Sequence, residues 1–206
     1  MKLFYSPGAC SIGIHVILEE IGKPFETQLV STRDGSNRKP EYLALNPKAK
    51  VPAILRDDGT VLTEFPVIAW WLAKATPMSN LIPVEFEAEA RVLEWMEYIC
   101  GTVHPQGFTR QFRPGNFAKD AEDEPRVIAQ GKVLAEGYLA VIESRLAGDP
   151  WLMRSGYSIA DATLFFITNW AGGRSGMTLP PKLAAHHHAM MGRPAVLRAL
   201  ARETAT

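Results

Sequence analysis

The sequence predicts two domains, a small α/β domain followed by an all-helical domain. Strand-like apolar runs alternate with helical patterns up to Ala75, and we find no convincing strand after it. The segment TPMSNLIP at 76–83 carries two prolines and is typical of a linker. Beyond it, apolar residues recur at helical spacing, which predicts a core made of helices. We therefore expect domains at 1–76 and 85–206, joined by residues 77–84.

The first domain is predicted to have the order β-α-β-loop-β-β-α. Its first helix places Ile14, Leu18 and Ile21 on one face and ends before Gly22, a common helix stop. The turn DDGT joins two strands into a hairpin, and Pro66 falls in a first helical turn, where proline is tolerated. The predicted strands are 2–5, 25–30, 51–56 and 61–63, and the predicted helices are 11–21, 41–45 and 64–75.

The second domain is predicted to contain five helices. One of them begins with SIAD, in which Ser158 and Asp161 have the spacing of a capping box, a structural feature. The predicted helices are 85–104, 124–147, 158–171, 180–191 and 193–203.

Composition and charge exclude several classes of function. Lys and Arg together number 22, as do Asp and Glu, so the net charge is zero and no nucleic-acid or membrane partner is expected. No apolar stretch is long enough to span a bilayer, and the first residues lack the pattern of a signal peptide. With only two cysteines, the simplest expectation is a reducing cytoplasm with Cys10 and Cys100 as free thiols. A Cys10–Cys100 disulfide stays open at this point.

Cys10 stands in FYSPGACSIG, at the junction between the first strand and the first helix. A thiol at a helix N-terminus lies in a positive field, which favours the thiolate and lowers the pKa. The alternative is a small buried hydrophobe, the more common use of a free cysteine. The hydroxyls of Tyr5, Ser6 and Ser11 are able to donate to a bound thiolate, although hydroxyls at turns more often serve as caps.

Two further positions have both a structural and a ligand-binding interpretation. Val51-Pro52 opens a strand after a loop and is a candidate cis peptide, which would turn the Val51 backbone toward an extended ligand. Thr63 and Glu64 precede a helix, where either one serves as a cap. Glu64 would alternatively bind an ammonium group while helix N–H groups hold a carboxylate.

Histidines give a weaker signal. A lone helical histidine such as His104 is usually structural, and the run HHH at 186–188 points in different directions around a helix, so we expect a surface feature. No zinc-binding spacing or phosphate-binding glycine loop is found, and no metal is expected.

These motifs together resemble the glutathione S-transferases over essentially the whole chain. KLFYSPGACS, NPKAKVPAI, LTE at a helix start and SIADATLF look specifically like the bacterial beta class, and GRPAV at 192–196 fits the same family. The resemblance implies a thioredoxin-like first domain, a helical second domain, a homodimer, and glutathione bound along the first domain as co-substrate.

The resemblance also implies roles for individual residues. Cys10 matches the active-site cysteine, and Tyr5 matches a tyrosine near the glutathione sulfur. Ser11 matches a neighbouring serine, and His104 matches a histidine from the helical domain. These four are the implied catalytic residues. The implied glutathione-binding residues are Lys50, Val51, the cis-proline Pro52, Glu64 and Phe65. Of these, Val51 would pair with the cysteinyl unit and Glu64 with the γ-glutamyl ammonium.

Three positions depart from the family pattern. Phe65 replaces a small or polar residue that assists the γ-glutamyl carboxylate, Glu97 stands where Asn is frequent, and Pro105 follows His104 where Lys is usual.

The resulting expectation is a cytoplasmic enzyme that conjugates glutathione to small hydrophobic electrophiles or exchanges its thiol with disulfides. An apolar cleft between the domains would hold the electrophile, with Phe108, Phe112 and Trp170 as candidate lining, unless these three belong to the core. The alternative is a dimeric binding or regulatory protein that kept the fold and lost efficient catalysis.

Overall fold

The computed structural model describes residues 1–147 and 149–204. The first part of the chain forms one sheet with the strand order β2-β1-β3-β4. Strand β1 runs parallel to β2 and antiparallel to β3, which pairs antiparallel with β4. The strands are β1 (Lys2–Tyr5), β2 (Glu26–Leu29), β3 (Ala53–Leu55) and β4 (Val61–Thr63).

Three helices belong to this part of the chain: α1 (Ser11–Ile21), α2 (Pro40–Leu45) and α3 (Phe65–Ala75). Helix α1 is buried from Ser11 to Glu19, because other elements cover it on several sides. It ends at Gly22, whose φ of 71° is left-handed and whose N–H donates to the Leu18 carbonyl at 3.1 Å, as the sequence predicts. The observed order of elements agrees with the predicted β-α-β-loop-β-β-α.

The second part of the chain is helical. Its helices are α4 (Phe86–Glu97), α5 (Arg110–Phe112), α6 (Glu124–Arg145), α7 (Ile159–Asn169), α8 (Pro181–Met191) and α9 (Pro194–Thr204). Two wider π-type segments, Tyr98–Thr109 and Trp170–Arg174, continue α4 and α7.

The helix predicted to end at residue 104 in fact continues through Phe112. Pro105 lies inside it. Proline removes a backbone donor and disfavours a regular α-turn, and the π-type hydrogen bonding found here accommodates it. The prediction that the helix ends before Pro105 is therefore wrong, because the helix takes its wider pitch from Tyr98 onward and continues past the proline.

The SIAD motif is a capping box, as predicted. The Asp161 carboxylate accepts from the backbone N–H groups of Ser158 and Leu152, both at 2.8 Å, and lies 3.2 Å from Nε2 of His186. His186 is fully buried, so the expectation that the HHH run is a surface feature is wrong for this residue. The carboxylate supplies the partner that makes burial of the imidazole tolerable.

Polar contacts join the two parts of the chain along α1. Arg198 of α9 binds Glu19 at 2.6 Å, and Arg193 binds Glu20 at 2.6 Å. Near the other end of α1, Nε1 of Trp170 donates to the Gly8 carbonyl at 3.0 Å. These contacts hold the helical domain against both ends of α1, and the Trp170 contact lies near Cys10. The domain bounds 1–76, 77–84 and 85–206 stay predictions.

Within residues 1–147 and 149–204, no helix is long and apolar enough to cross a membrane.

Candidate glutathione site

Cys10 immediately precedes α1 and faces the loop that leads into β3. Its Sγ donates to the Val51 carbonyl at 3.7 Å. The Val51-Pro52 peptide is cis, as the sequence predicts. The two motifs therefore meet at one edge of the sheet, although 41 positions separate them in the chain.

Burial raises the pKa of Cys10 to about 12. The backbone N–H groups of Cys10 and Ser11 and the charge of Lys50 lower it, as a helix N-terminus should, but desolvation is the larger effect. The net direction is opposite to the lowered pKa expected from the sequence. In this state Cys10 is a neutral thiol at neutral pH.

Tyr5 and Ser11, two of the predicted catalytic residues, lie beneath the surface. Tyr5 is 1% exposed, and its ring packs edge-on against His15 at 5.7 Å. The Ser11 hydroxyl donates to the Ser6 carbonyl at 3.3 Å and accepts from the Ser6 N–H at 3.2 Å. Ser11 therefore closes the turn between β1 and α1. The catalytic roles of both residues stay predictions.

Glu64 occupies the position before α3 with φ 71° and ψ 120°, a region that favours glycine. Such backbone strain is typical of functional sites. Its carboxylate binds Nζ of Lys48 at 2.7 Å, and the same ammonium donates to the Thr63 hydroxyl at 2.9 Å. A cation thus already lies where the resemblance implies a ligand ammonium. Sequence analysis missed Lys48, although it stands within NPKAKVPAI.

Phe65 is the first residue of α3 and is buried. Its ring packs against Phe166 of α7 at 5.4 Å and lies so close to Gly13 of α1 that a Cβ built there would be 2.7 Å from it. The bulk that departs from the family pattern is therefore accommodated between the domains. The backbone N–H of Phe65 lies in the first turn of α3, where N–H groups have no carbonyl partner within the helix and are available to an anion.

His104 brings the helical domain to this site. Its ring contacts Trp170 at 4.9 Å and Phe166 at 5.7 Å between ring centroids. Burial, assisted by the nearby charge of Lys50, lowers the pKa of His104 to about 4, so the imidazole is neutral at neutral pH. The positive charge of Lys50 lowers the pKa of both His104 and Cys10.

Two of the three residues predicted to line an apolar cleft between the domains belong to the core instead. Phe108 is fully buried and Trp170 is 5% exposed, whereas Phe112 is half-buried at the edge of the aromatic cluster. The guanidinium of Arg174 stacks on the Phe112 ring at 3.8 Å. Sequence analysis missed Arg174, because nothing in the spacing relates it to Phe112.

Both cysteines are free, so the Cys10–Cys100 disulfide that the sequence left open is not formed. Cys100 is half-buried, and its pKa is raised by burial and by the nearby Cys10, Glu97 and Glu64.

The two remaining departures from the family pattern lie beside and within the π-type segment. The Glu97 carboxylate lies over Gly101, where a built Cβ would be 2.5 Å from Oε1. Pro105 falls inside the same segment.

Both parts of the chain match models of known families. Residues 8–75 match the family described as glutathione S-transferase, N-terminal domain. Residues 112–194 match glutathione S-transferase, C-terminal domain.

Among curated proteins, glutathione S-transferase GstA of Escherichia coli O157:H7 is 37% identical over 206 residues, with 98% of each chain covered. The disulfide-bond oxidoreductase YfcG of Escherichia coli K12 is 27% identical, over 97% of this chain and 94% of YfcG.

Solved structures agree with these matches. A sphingomonad glutathione S-transferase complexed with glutathione superposes with a TM-score of 0.86 at 32% identity, over 100% of both chains. A bacterial beta class enzyme from Sphingomonas chungbukensis superposes at 0.84 with 29% identity, also over 100% of both chains. The predicted thioredoxin-like and helical domains are confirmed, and nothing found here favours the alternative of a binding or regulatory protein. The chain belongs to the glutathione S-transferase family.

Proposed function

We propose that this protein binds glutathione at the edge between Cys10, Val51 and Glu64 and conjugates its thiol to small hydrophobic electrophiles. The observation that carries the proposal is the contact of Cys10 Sγ with the Val51 carbonyl, 3.7 Å apart. This contact brings the start of α1 to the cis-proline loop, in a chain of a family whose relatives are crystallised with glutathione.

The cysteinyl and γ-glutamyl units of glutathione each have partners of suitable chemistry. The Val51 backbone would pair with the cysteinyl unit, beside Pro52. Glu64 would bind the γ-glutamyl ammonium, displacing Lys48 from its carboxylate. The Phe65 N–H would donate to the γ-glutamyl carboxylate, and Lys50 supplies positive charge near the thiol.

Cys10 fits a role as a hydrogen-bond donor to the glutathione thiolate. A thiol whose pKa is about 12 stays protonated and has a hydrogen to donate. Stabilising the glutathione thiolate by about one pKa unit is worth roughly 1.4 kcal/mol. His104, held neutral by burial, is available as a donor or acceptor beside the sulfur without adding charge.

Thiol exchange is the second candidate function, favoured by the similarity to the disulfide-bond oxidoreductase YfcG. Here Cys10, neutral in the structure, would first lose its proton to solvent; its sulfur would then attack a disulfide of glutathione, forming a mixed disulfide and releasing one glutathione thiolate. Cys10→Ala separates the two activities: conjugation should persist at a reduced rate, whereas thiol exchange should vanish. If thiol exchange survives in the variant, Cys10 is not the exchanging thiol.

Glutathione binding is tested by calorimetric titration of the wild type and of Glu64→Gln. We expect the variant to bind about tenfold more weakly, because a charge-assisted contact is lost. Glu26→Gln, an exposed carboxylate on β2, is the control and should bind as the wild type does. Failure of the wild type to bind at millimolar glutathione would overturn the proposal.

We also propose a homodimer formed through one exposed apolar face. Large apolar side chains stand in solvent on α3, at the start of α4 and between these helices: Val67, Trp70, Met78, Val84 and Phe86. Trp70 and Lys74 both bind Glu89, which fixes α3 against α4 into one surface. A second copy of this chain is the occupant we propose, in agreement with the resemblance.

A cytoplasmic location follows from the same proposal. Two free thiols and a reduced glutathione co-substrate require a reducing compartment. Conjugation of electrophiles there would serve detoxification.

A further inference from the structure

Three arginines, Arg33, Arg113 and Arg174, lie where the helical domain meets the loop after β2. Burial and the nearby charges of Arg33 and Arg113 lower the pKa of Arg174. Among the residues that the structure describes, none of the three forms a salt bridge with a carboxylate.

The contacts of these arginines place them around the proposed site. Arg33 lies over Gly8, where a built Cβ would be 3.8 Å from its Nη2. Arg113 of the helical domain donates to the Thr32 carbonyl at 3.2 Å, and Arg174 stacks on Phe112 at 3.8 Å. The cluster therefore contains one arginine from the first domain and two from the second.

Phe112 and Trp170 connect the cluster to Cys10. The Phe112 ring meets Trp170 edge-on at 5.5 Å, and Nε1 of Trp170 donates to the Gly8 carbonyl at 3.0 Å. Gly8 is two residues before Cys10. A small molecule that contacts the exposed part of Phe112 would therefore lie beside the arginines and on the side of the protein that carries the Cys10 turn.

The nearest acidic side chain in sequence does not neutralise the cluster. Asp34 follows Arg33, but its carboxylate accepts from the Ser36 N–H at 2.8 Å. A fourth cation, Lys132, shares a shallow pocket with Phe112 and Arg174. Paired guanidinium groups without a carboxylate partner match the planar geometry of an oxyanion.

We propose that the preferred electrophile carries an oxyanion, a carboxylate or a sulfonate, on an aromatic body that packs against Phe112. Arg33, Arg113 and Arg174 would hold the oxyanion. The inference deepens the proposed function and rests on it, because it names the class of electrophile that the site selects.

The test compares 4-chloro-3-nitrobenzoate, its methyl ester and 4-chloro-3-nitrobenzenesulfonate. In each reaction the glutathione thiolate sulfur forms a bond to the ring carbon that bears chlorine, and chloride leaves with the bonding electron pair. We expect kcat/KM, divided by the second-order rate constant of the uncatalysed reaction of the same compound with glutathione, to be larger for both anions than for the neutral ester. Added salt should reduce the difference. Comparing the carboxylate with the sulfonate shows which of the two oxyanions the site prefers.

Single variants Arg33→Gln, Arg113→Gln and Arg174→Gln should each lower kcat/KM for the anions about fivefold and leave the ester nearly unchanged. Arg154→Gln removes an exposed arginine outside the cluster and should change neither. Equal rate enhancements over the uncatalysed reaction for ester and anions, or equal losses on both in the variants, would overturn the inference.

A second measurement separates this inference from the proposed function. If no substrate is conjugated, the transferase proposal fails, and calorimetric binding of 4-nitrobenzoate and of its methyl ester still tests the anion site. Binding of the carboxylate that is lost in Arg174→Gln supports the site. Equal binding of both compounds, or binding of neither, refutes it.

Discussion

Two opposing effects act on the Cys10 thiol. The backbone N–H groups at the start of α1 and the charge of Lys50 favour the thiolate, whereas burial disfavours any charge. Burial is the larger effect and raises the pKa to about 12. At this residue the structure therefore favours a donor to a ligand thiolate over a pre-ionised nucleophile.

Alkylation kinetics test the protonation state of Cys10. In the Cys100→Ser variant, which leaves one thiol, we expect the iodoacetamide rate without glutathione to rise about tenfold per pH unit from neutrality to about pH 10. The rise follows because the thiolate fraction increases throughout that range. A rate that reaches a plateau near pH 8 would contradict the raised pKa.

His104 makes stability depend on pH. Its pKa falls from 6.5 to about 4 on folding, so the folded state binds fewer protons than the unfolded state below pH 6.5. Its contribution to stability is present above pH 6.5 and is lost as pH falls through 4. We expect urea denaturation to show a steeper loss of unfolding free energy on acidification in the wild type than in His104→Gln, by up to about 1.4 kcal/mol per pH unit. Equal slopes in the two proteins would show that His104 is not responsible.

At the scale of elements, close packing of α1 against α7 joins the two domains. Gly13 leaves no room for a side chain, because a built Cβ would lie 2.7 Å from both the Ala162 carbonyl oxygen and the Phe65 ring. Phe65 in turn fills the space beside Phe166. The large residue at 65 and the small residue at 13 are therefore complementary.

The Gly13→Ala variant should lose about 2 kcal/mol of unfolding free energy, since a methyl group must displace backbone and ring atoms. Gly137→Ala is a matched control in α6, where a built Cβ meets nothing within 4 Å. There alanine should stabilise the helix by up to about 1 kcal/mol. Urea denaturation measures both, and a neutral Gly13→Ala would contradict the close packing.

At the scale of the whole molecule, we propose that a second copy of the chain covers the exposed face formed by Val67, Trp70, Met78, Val84 and Phe86. Phe86 is 83% exposed and Val84 is 96% exposed, which is unusual for apolar side chains placed next to each other. The face includes residues of α3 and α4, so a second copy would contact both domains.

Phe86→Ser should shift the dimer toward monomer, because it removes a large apolar contact from the proposed interface. Val133→Ser, on α6 at 68% exposure, is the control and should leave the assembly unchanged. Sedimentation velocity over a range of protein concentrations measures the shift. A wild-type protein that is monomeric at all concentrations would remove the basis for the dimer.

Much of the local structure was predictable because local signals determine it. The end of α1 at Gly22, the capping box at Ser158 and the hairpin of β3 and β4 follow from turn and capping chemistry within a few residues. The continuation of the helix beyond Pro105 was not predictable, since proline ordinarily ends such a pattern and only packing against α6 and α7 sustains it.

By itself, the sequence determined the order of elements, the family and the cis Val51-Pro52 motif, since these depend on short patterns in the chain. Only the tertiary structure decided the protonation of Cys10 and His104, the inward direction of Phe65, the pairing of Lys48 with Glu64 and the arginines around Phe112. Desolvation and electrostatic interaction depend on which distant residues surround a group. Folding brings those neighbours together, so they cannot be predicted from a local pattern in the chain.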